Sequence, residues 1–351
     1  MGRTKTNNGV ISKLFRRYLI DAMGAMANGL FASLLIGTII KTIGQQFNLP
    51  LLVEIGGFAS AMSGPAMAVA IGYALGASPL VLFSLVTVGY ATNSMGGAGG
   101  PLAVLIIGII ASEVGMLVSK KTKIDILVTP TVTILVGVIL AYFFAGEIGN
   151  AAKRLGEIIV WATEQQPLIM GIVVSVVMGM ILTLPISSAA ICHSFGIVGL
   201  AGGAAVAGCC AQMVGFAVAS FKENRWGGLV AQGLGTSMLQ VPNIIKHPCI
   251  WIAPTLASAI TGPLATCVFR LQMNGEAIAS GMGTCGLVGP IGIYTGWLND
   301  IASGAKAAVT AMDIAAMVLI CFVLPAVLTM IFDRALRKIG WVKYGDQKLD
   351  M

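Results

Sequence analysis

The residues of this chain that could bind or move something are few and set apart. Asn93 and Ser94 lead into Gly96, Gly97, Gly99 and Gly100 within "GYATNSMGGAGGPLAV", residues 89–104. Ser187, Ser188 and His193 stand in "LPISSAAICHSFGI", residues 184–197, and Ser63 holds the comparable place in "AMSGPAMAVAIGYA", residues 61–74. Thr284 lies in "IASGMGTCGLVGPIGIY", residues 278–294. Hydroxyl and amide side chains next to interrupted helices, whose ends offer free N–H groups, can hold a hydroxyl-rich or anionic solute. Glu113 and His193 are the titratable groups within apolar sequence and could couple protons or cations. The plainer roles are an ion pair with a nearby lysine for Glu113 and a hydrogen bond to a carbonyl for His193.

Other chemistry is excluded by missing partners. A phosphate cradle needs G-x-x-x-x-G-K-[ST], and no Lys or Arg lies between Gly89 and Lys120. There is no G-x-S-x-G and no zinc spacing. Two histidines and seven cysteines without a C-x-x-C pair give no clustered ligand set. The sequence therefore predicts no catalytic group, no metal and no cofactor.

The elements that must position these residues are membrane helices. The 351-residue chain is 57% hydrophobic and 10% charged, with a mean hydropathy of +0.91. Ordinary soluble domains carry about 25% charged residues, and no single soluble core could hide so much apolar surface. The net charge of +7 comes largely from two basic ends, Arg3, Lys5, Lys13, Arg16 and Arg17 at one and Arg334, Arg337, Lys338, Lys343 and Lys348 at the other. Such clusters read as topology signals in contact with anionic lipid headgroups rather than as a nucleic-acid surface, and place both termini in the cytoplasm.

An internal repeat organises the apolar segments. "GLFASLLIGTII", residues 29–40, matches "GIVVSVVMGMIL", residues 171–182, at an offset of 142; Val88–Ala91 matches Val214–Ala217 at 126, and Pro130-Thr131 matches Pro254-Thr255 at 124. The drift reflects an extra loop in the first copy. This divides the chain into a basic N-terminus (1–18), a first membrane repeat (19–150), a second (160–272), C-terminal membrane segments (278–333) and a basic tail (334–351). Five segments per copy invert the second copy. Lys120, Lys121 and Lys123 and, in the second copy, Lys222 and Arg225 then fall on the cytoplasmic side. The expected fold is an all-α polytopic membrane protein of two inverted five-segment repeats with broken or re-entrant helices. The 278–298 segment crosses or re-enters, and crossing is the reading that keeps the C-terminal charge inside.

Two accounts of residues 89–104 remain: a helix that stops inside the membrane to form half of a site, or a turn between two helices. Residues 184–197 and 61–74 form a second broken element, residues 278–294 a third. Gln212, Gln240 and Asn243 are expected to bond across helices.

Residues 62–108, 184–216 and 246–263 together resemble the EIIC membrane subunits of the phosphoenolpyruvate-dependent sugar phosphotransferase system, in the subgroup that includes proteins labelled toxin-gene regulators. The likeness runs from about residue 19 to residue 335. It implies a homodimeric permease in a bacterial inner membrane, passing a sugar or sugar derivative to a separate EIIB protein, with no catalytic motif of its own. The glutamate of the G-I-T-E motif in sugar-binding relatives is absent from "AITGPL", residues 259–264. The resulting reading is a transporter of a small polar solute by alternating access, with Ser63, Asn93, Ser94, Gly96, Gly97, Gly99, Gly100, Ser187, Ser188, His193 and Thr284 contacting solute, and Glu113 and His193 available for coupling. The other classes kept open are an ion-coupled carrier of a small organic anion and a solute sensor without net transport.

Overall fold

The computed structural model describes residues 13–14 and 16–349. Arg3 and Lys5 of the basic N-terminus lie outside the described residues. Among the described residues the fold is all-α, with six continuous helical runs long and apolar enough to cross a membrane, one of which, residues 79–118, doubles back at Gly97. The chain packs as two units, Met1–Gly37 with Ile55–Asn150, and Thr38–Glu54 with Ala151–Met351.

The first unit draws on α1 (Arg16–Gln46), α2 (Pro50–Ala61) and α3 (Ser63–Ala74), bent by 45° at their junction, α4 (Pro79–Gly96), α5 (Gly100–Val118) and α6 (Asp125–Thr163). Its helices alternate in direction. Arg17 at the start of α1 donates to Leu75 O just past α3, 3.1 Å away, and Ser78 and Ser119, before α4 and after α5, share a 2.8 Å hydrogen bond. The buried residues of α4 are Val81, Ser84, Leu85, Val88, Gly89, Thr92 and Gly96, a three-and-four spacing that forms one helical stripe.

The first part of α6 shows which solvent this unit faces. From Asp125 to Leu140 its buried residues are Thr129, Thr133 and Gly137, whereas Ile126, Leu127, Leu135 and Ile139 are exposed. A surface more apolar than the interior is stable only in lipid, where small residues let helices approach. Thr133 closes its own hydroxyl onto Thr129 O at 2.8 Å.

The second unit is centred on α9, reached through α7 (Pro167–Thr183) and the short α8 (Ser188–Phe195). Helix α9 (Gly199–Ala219) is buried almost all round. It can be, because "GLAGGAAVAGCCAQMVGFAVA" is mostly small residues. Next follow α10 (Phe221–Val230), α11 (Val241–Lys246), α12 (Pro248–Val268), α13 (Val288–Ala302) and α14 (Ala311–Lys338). Ser175 on α7 donates to Ser258 O on α12 at 2.8 Å.

Gly29 and Gly171, which the sequence comparison aligns, pack differently. Gly29 meets Ala66 and Met67 of α3, whereas Gly171 meets Pro263 and Thr266 of α12. The cause is direction: α1 lies antiparallel to α3, its sequence neighbour in the bundle, while α7 lies parallel to α9 and leaves its glycine face to α12.

Candidate functional site

Residues 271–302 enter and leave the second unit at the same end. Met273 exchanges two 2.9 Å hydrogen bonds with Gly199, the first residue of α9. Ser280 donates to Ile197 O at 2.6 Å, a Cβ on Gly283 would stand 2.8 Å from the backbone of Cys209, and Thr284 reaches Met213 Sδ at 3.6 Å. The chain has by then descended past the middle of α9. Helix α13 returns: Gly289 N bonds Gly283 O at 2.9 Å, and Asn274 holds Asp300 at 2.9 Å beside the starting point. With 15 residues, α13 is about 22 Å long, short of the roughly 20 residues a crossing needs. The segment returns to the end it came from, which, of the two readings, favours re-entry over crossing.

Thr284 is at the tip of the re-entrant loop. Its hydroxyl donates to Gly233 O at 2.5 Å. Gly233 belongs to a π-helical turn, Ala231–Gly235, within a segment that closes the opposite end of α9 by way of Ser237, whose hydroxyl meets Thr183 at 2.8 Å. A turn and a π-helical segment, reaching in from opposite ends, thus touch through one hydrogen bond. Irregular backbone at this depth is tolerated because it is buried in protein.

Helix α8 lies against the loop. Ser188 is buried and donates to Gly281 O at 2.6 Å, and Ser187 caps α8 by accepting from Ala190 N at 3.2 Å. The hydroxyl protons of Ser188 and Thr284 are already donated to carbonyls, which leaves both oxygens as acceptors. His193 is exposed. The second unit therefore gathers Ser187, Ser188 and Thr284 around the re-entrant loop.

In the first unit, Asn93 Nδ2 donates to Ser63 Oγ at 3.3 Å, which ties α4 to the bend between α2 and α3. The glycine run is the turn of the α4–α5 hairpin. Gly97 has φ +51° and ψ −122°, a conformation that only glycine adopts readily, and a Cβ on Gly99 would stand 2.7 Å from Ile148 O on α6. Helices of 18 and 19 residues on either side each span about 27–29 Å, a full bilayer core. Of the two accounts of this stretch, the geometry is that of a turn between two helices. Gly96, Gly99 and Gly100 are buried within it, while Ser94 and Gly97 are exposed.

Glu113 stands at the other end of the first unit. It pairs with Arg17 at 2.8 Å and accepts from Tyr18 Oη at 3.0 Å, while Arg17 also holds Leu75 O. One guanidinium thus clamps the start of α1 to the ends of α3 and α5, with Lys120 and Lys121 close in sequence beyond.

The second unit holds two polar networks, one expected from the sequence and one not. Gln212 accepts from Trp251 Nε1 at 2.9 Å and donates to Thr255 at 3.3 Å, the cross-helix role expected of it. Asn224, Gln240 and Asn243 instead converge on residues 347–349, with Gln232 behind Gln240. The only sequence signal was four amides within twenty residues of apolar sequence.

A polytopic all-α membrane protein with a short discontinuous helix packed on a loop that enters and leaves at one end shares features with solute carriers. The chain is a member of the EIIC family: the family model described as "Phosphotransferase system, EIIC" matches residues 20–349. Membership makes it the membrane permease component of a sugar phosphotransferase system, a multi-pass protein of the bacterial inner membrane that works with a separate EIIB. No curated protein and no solved structure matches the chain.

Proposed function

We propose that this permease moves a small sugar or sugar derivative by alternating access, and that the contact between Thr284 and Gly233 is part of what opens and closes. The observation that carries the reading is the meeting of the loop at Thr284 with a π-helical turn, Ala231–Gly235, in a unit whose central helix is made of tightly packed small residues. Re-entrant and broken segments present main-chain groups and hydroxyls to a solute without a charged residue. Ser187, Ser188 and Thr284 offer acceptor oxygens on the second unit.

Coupling through EIIB fits better than coupling through an ion. Arg17 already neutralises Glu113, which weakens the case for that carboxylate as a proton carrier. The basic ends favour both termini in the cytoplasm, where EIIB would meet the permease. A homodimer remains part of the proposal by family resemblance.

The test is uptake into vesicles holding the purified protein, with a panel of labelled sugars and sugar acids. Uptake that requires EIIB and its phosphoryl donor supports the reading. Accumulation driven by a proton or sodium gradient alone points to an ion-coupled carrier, and binding without uptake points to a sensor.

A further inference from the structure

Beyond the last helix the chain folds back into the second unit. We propose that Asn224, Gln232, Gln240 and Asn243 form a peptide-binding socket whose resident ligand is the chain's own segment 341–349, and that this segment exchanges out of the socket, exposing the basic end of the unit.

The socket reads main chain. Asn224 clamps the segment with both atoms of its amide: Nδ2 donates to Gln347 O and Oδ1 accepts from Leu349 N, each at 2.8 Å. Gln240 Nε2 adds a second bond to Gln347 O at 2.9 Å, and Asn243 Nδ2 one to Lys348 O at 2.8 Å. Behind them Gln232 orients Gln240 by accepting from its Nε2 at 2.8 Å and is itself fixed by donating to Ser220. Paired main-chain hydrogen bonds of this kind are how proteins bind extended peptides. Side-chain pockets complete the fit: Val342 joins the apolar cluster of Phe216, Ile244, Ile250, Ala253 and Leu336, and Gln347 Nε2 reaches Asp333 at 2.9 Å.

Several features make the segment separable from its seat. It contains no helix, and it is hinged at Gly340 (φ +82°) and Gly345 (φ +99°). Trp341, Lys343, Tyr344 and Lys348 are exposed, Asp346 is half-buried, and Val342, Gln347 and Leu349 are embedded. The fit is also incomplete, because Gln347 Oε1 and Glu223 Oε2 are buried without a partner. Segments with few buried contacts and imperfectly satisfied polar groups open at lower free energy than the surrounding helices. Arg337, which bonds Glu223 and Asp333, sits beneath the segment among Lys222, Arg334 and Lys343, beside a cavity of about 460 Å³.

The socket itself needs no permease activity; the consequence, that release opens the end from which EIIB is reached, rests on the proposed function. The test therefore uses neither solute nor EIIB. A chain ending at Gly340, in lipid vesicles, is titrated with a fluorescent peptide of residues 341–349, WVKYGDQKL, and binding is read by anisotropy. Saturable binding that weakens about tenfold or more in Asn224→Ala supports the socket; a folded truncated chain that leaves the peptide free, or an unaffected Asn224→Ala, overturns it. Should the truncated chain not fold, the intact chain carrying Cys267→Ser is compared with the same chain carrying Gln347→Ala and Leu349→Ala. Cys249, packed against the Val342 cluster, is then expected to react with an impermeant maleimide about tenfold faster in the variant. An unchanged rate means a fixed structural strap and overturns exchange.

Discussion

Thr284 donates its hydroxyl proton to Gly233 O across 2.5 Å, and through that bond a loop that enters the second unit from one end holds the segment that closes the other. Neither stretch is a membrane-spanning helix by length.

Replacing Thr284 by Val keeps the shape and removes the donor. The Gly233 carbonyl is then left without this partner, a loss of about 1–3 kcal/mol, and Thr284→Ser should restore most of it. Thermal unfolding of the three proteins in detergent tests the ranking. Uptake that falls in the Val variant alone would tie the bond to transport, whereas equal uptake in all three would reduce it to a structural tie.

Glu113→Gln should be mild. The Arg17–Glu113 pair is about one-third exposed, and such pairs contribute about 0.2–1 kcal/mol. Sugar uptake driven by EIIB is expected to survive in this variant. Its abolition, with the protein still folded, would restore Glu113 as a coupling group.

Two glycines on opposite sides of a packing argument should respond in opposite ways. A Cβ on Gly99 would stand 2.7 Å from Ile148 O and 3.0 Å from Gly149 Cα, both backbone, whereas Gly57 in α2 has nothing within 4 Å. Gly99→Ala is expected to destabilise by about 1–3 kcal/mol through overpacking, and Gly57→Ala to stabilise by up to about 1 kcal/mol through helix propensity. Melting temperatures that moved together would contradict the buried hairpin turn.

Topology can be read by side-specific labelling. Cysteines placed at Lys121 and Arg225 should react with an impermeant maleimide in inside-out vesicles and stay unlabelled in right-side-out ones. Labelling of either from the outer face would reverse the orientation assigned to its unit.

Much was legible in the residues. An apolar chain with scarce, clustered charge must be a multi-pass membrane protein, because hydrocarbon accepts only helices and closed barrels and the segments have helical length. The glycine-rich patterns carried the family. The glycine run itself was ambiguous, since Gly96–Gly100 would serve equally for an interrupted helix and for a hairpin turn. What decided it was the contact of Ser78 with Ser119, which places the two helix ends side by side.

The sequence by itself determined that this is an α-helical membrane protein of EIIC type and which hydroxyls and amides stand within apolar segments, because composition and local pattern act along the chain. Only the tertiary structure decided that residues 278–298 turn back at Thr284, that Glu113 is held by Arg17, and that three amides, Asn224, Gln240 and Asn243, grip residues 347–349. Each of these is a contact between residues 51 to 125 positions apart, and pairings at such separation are chosen by the packing of whole helices rather than by neighbouring residues.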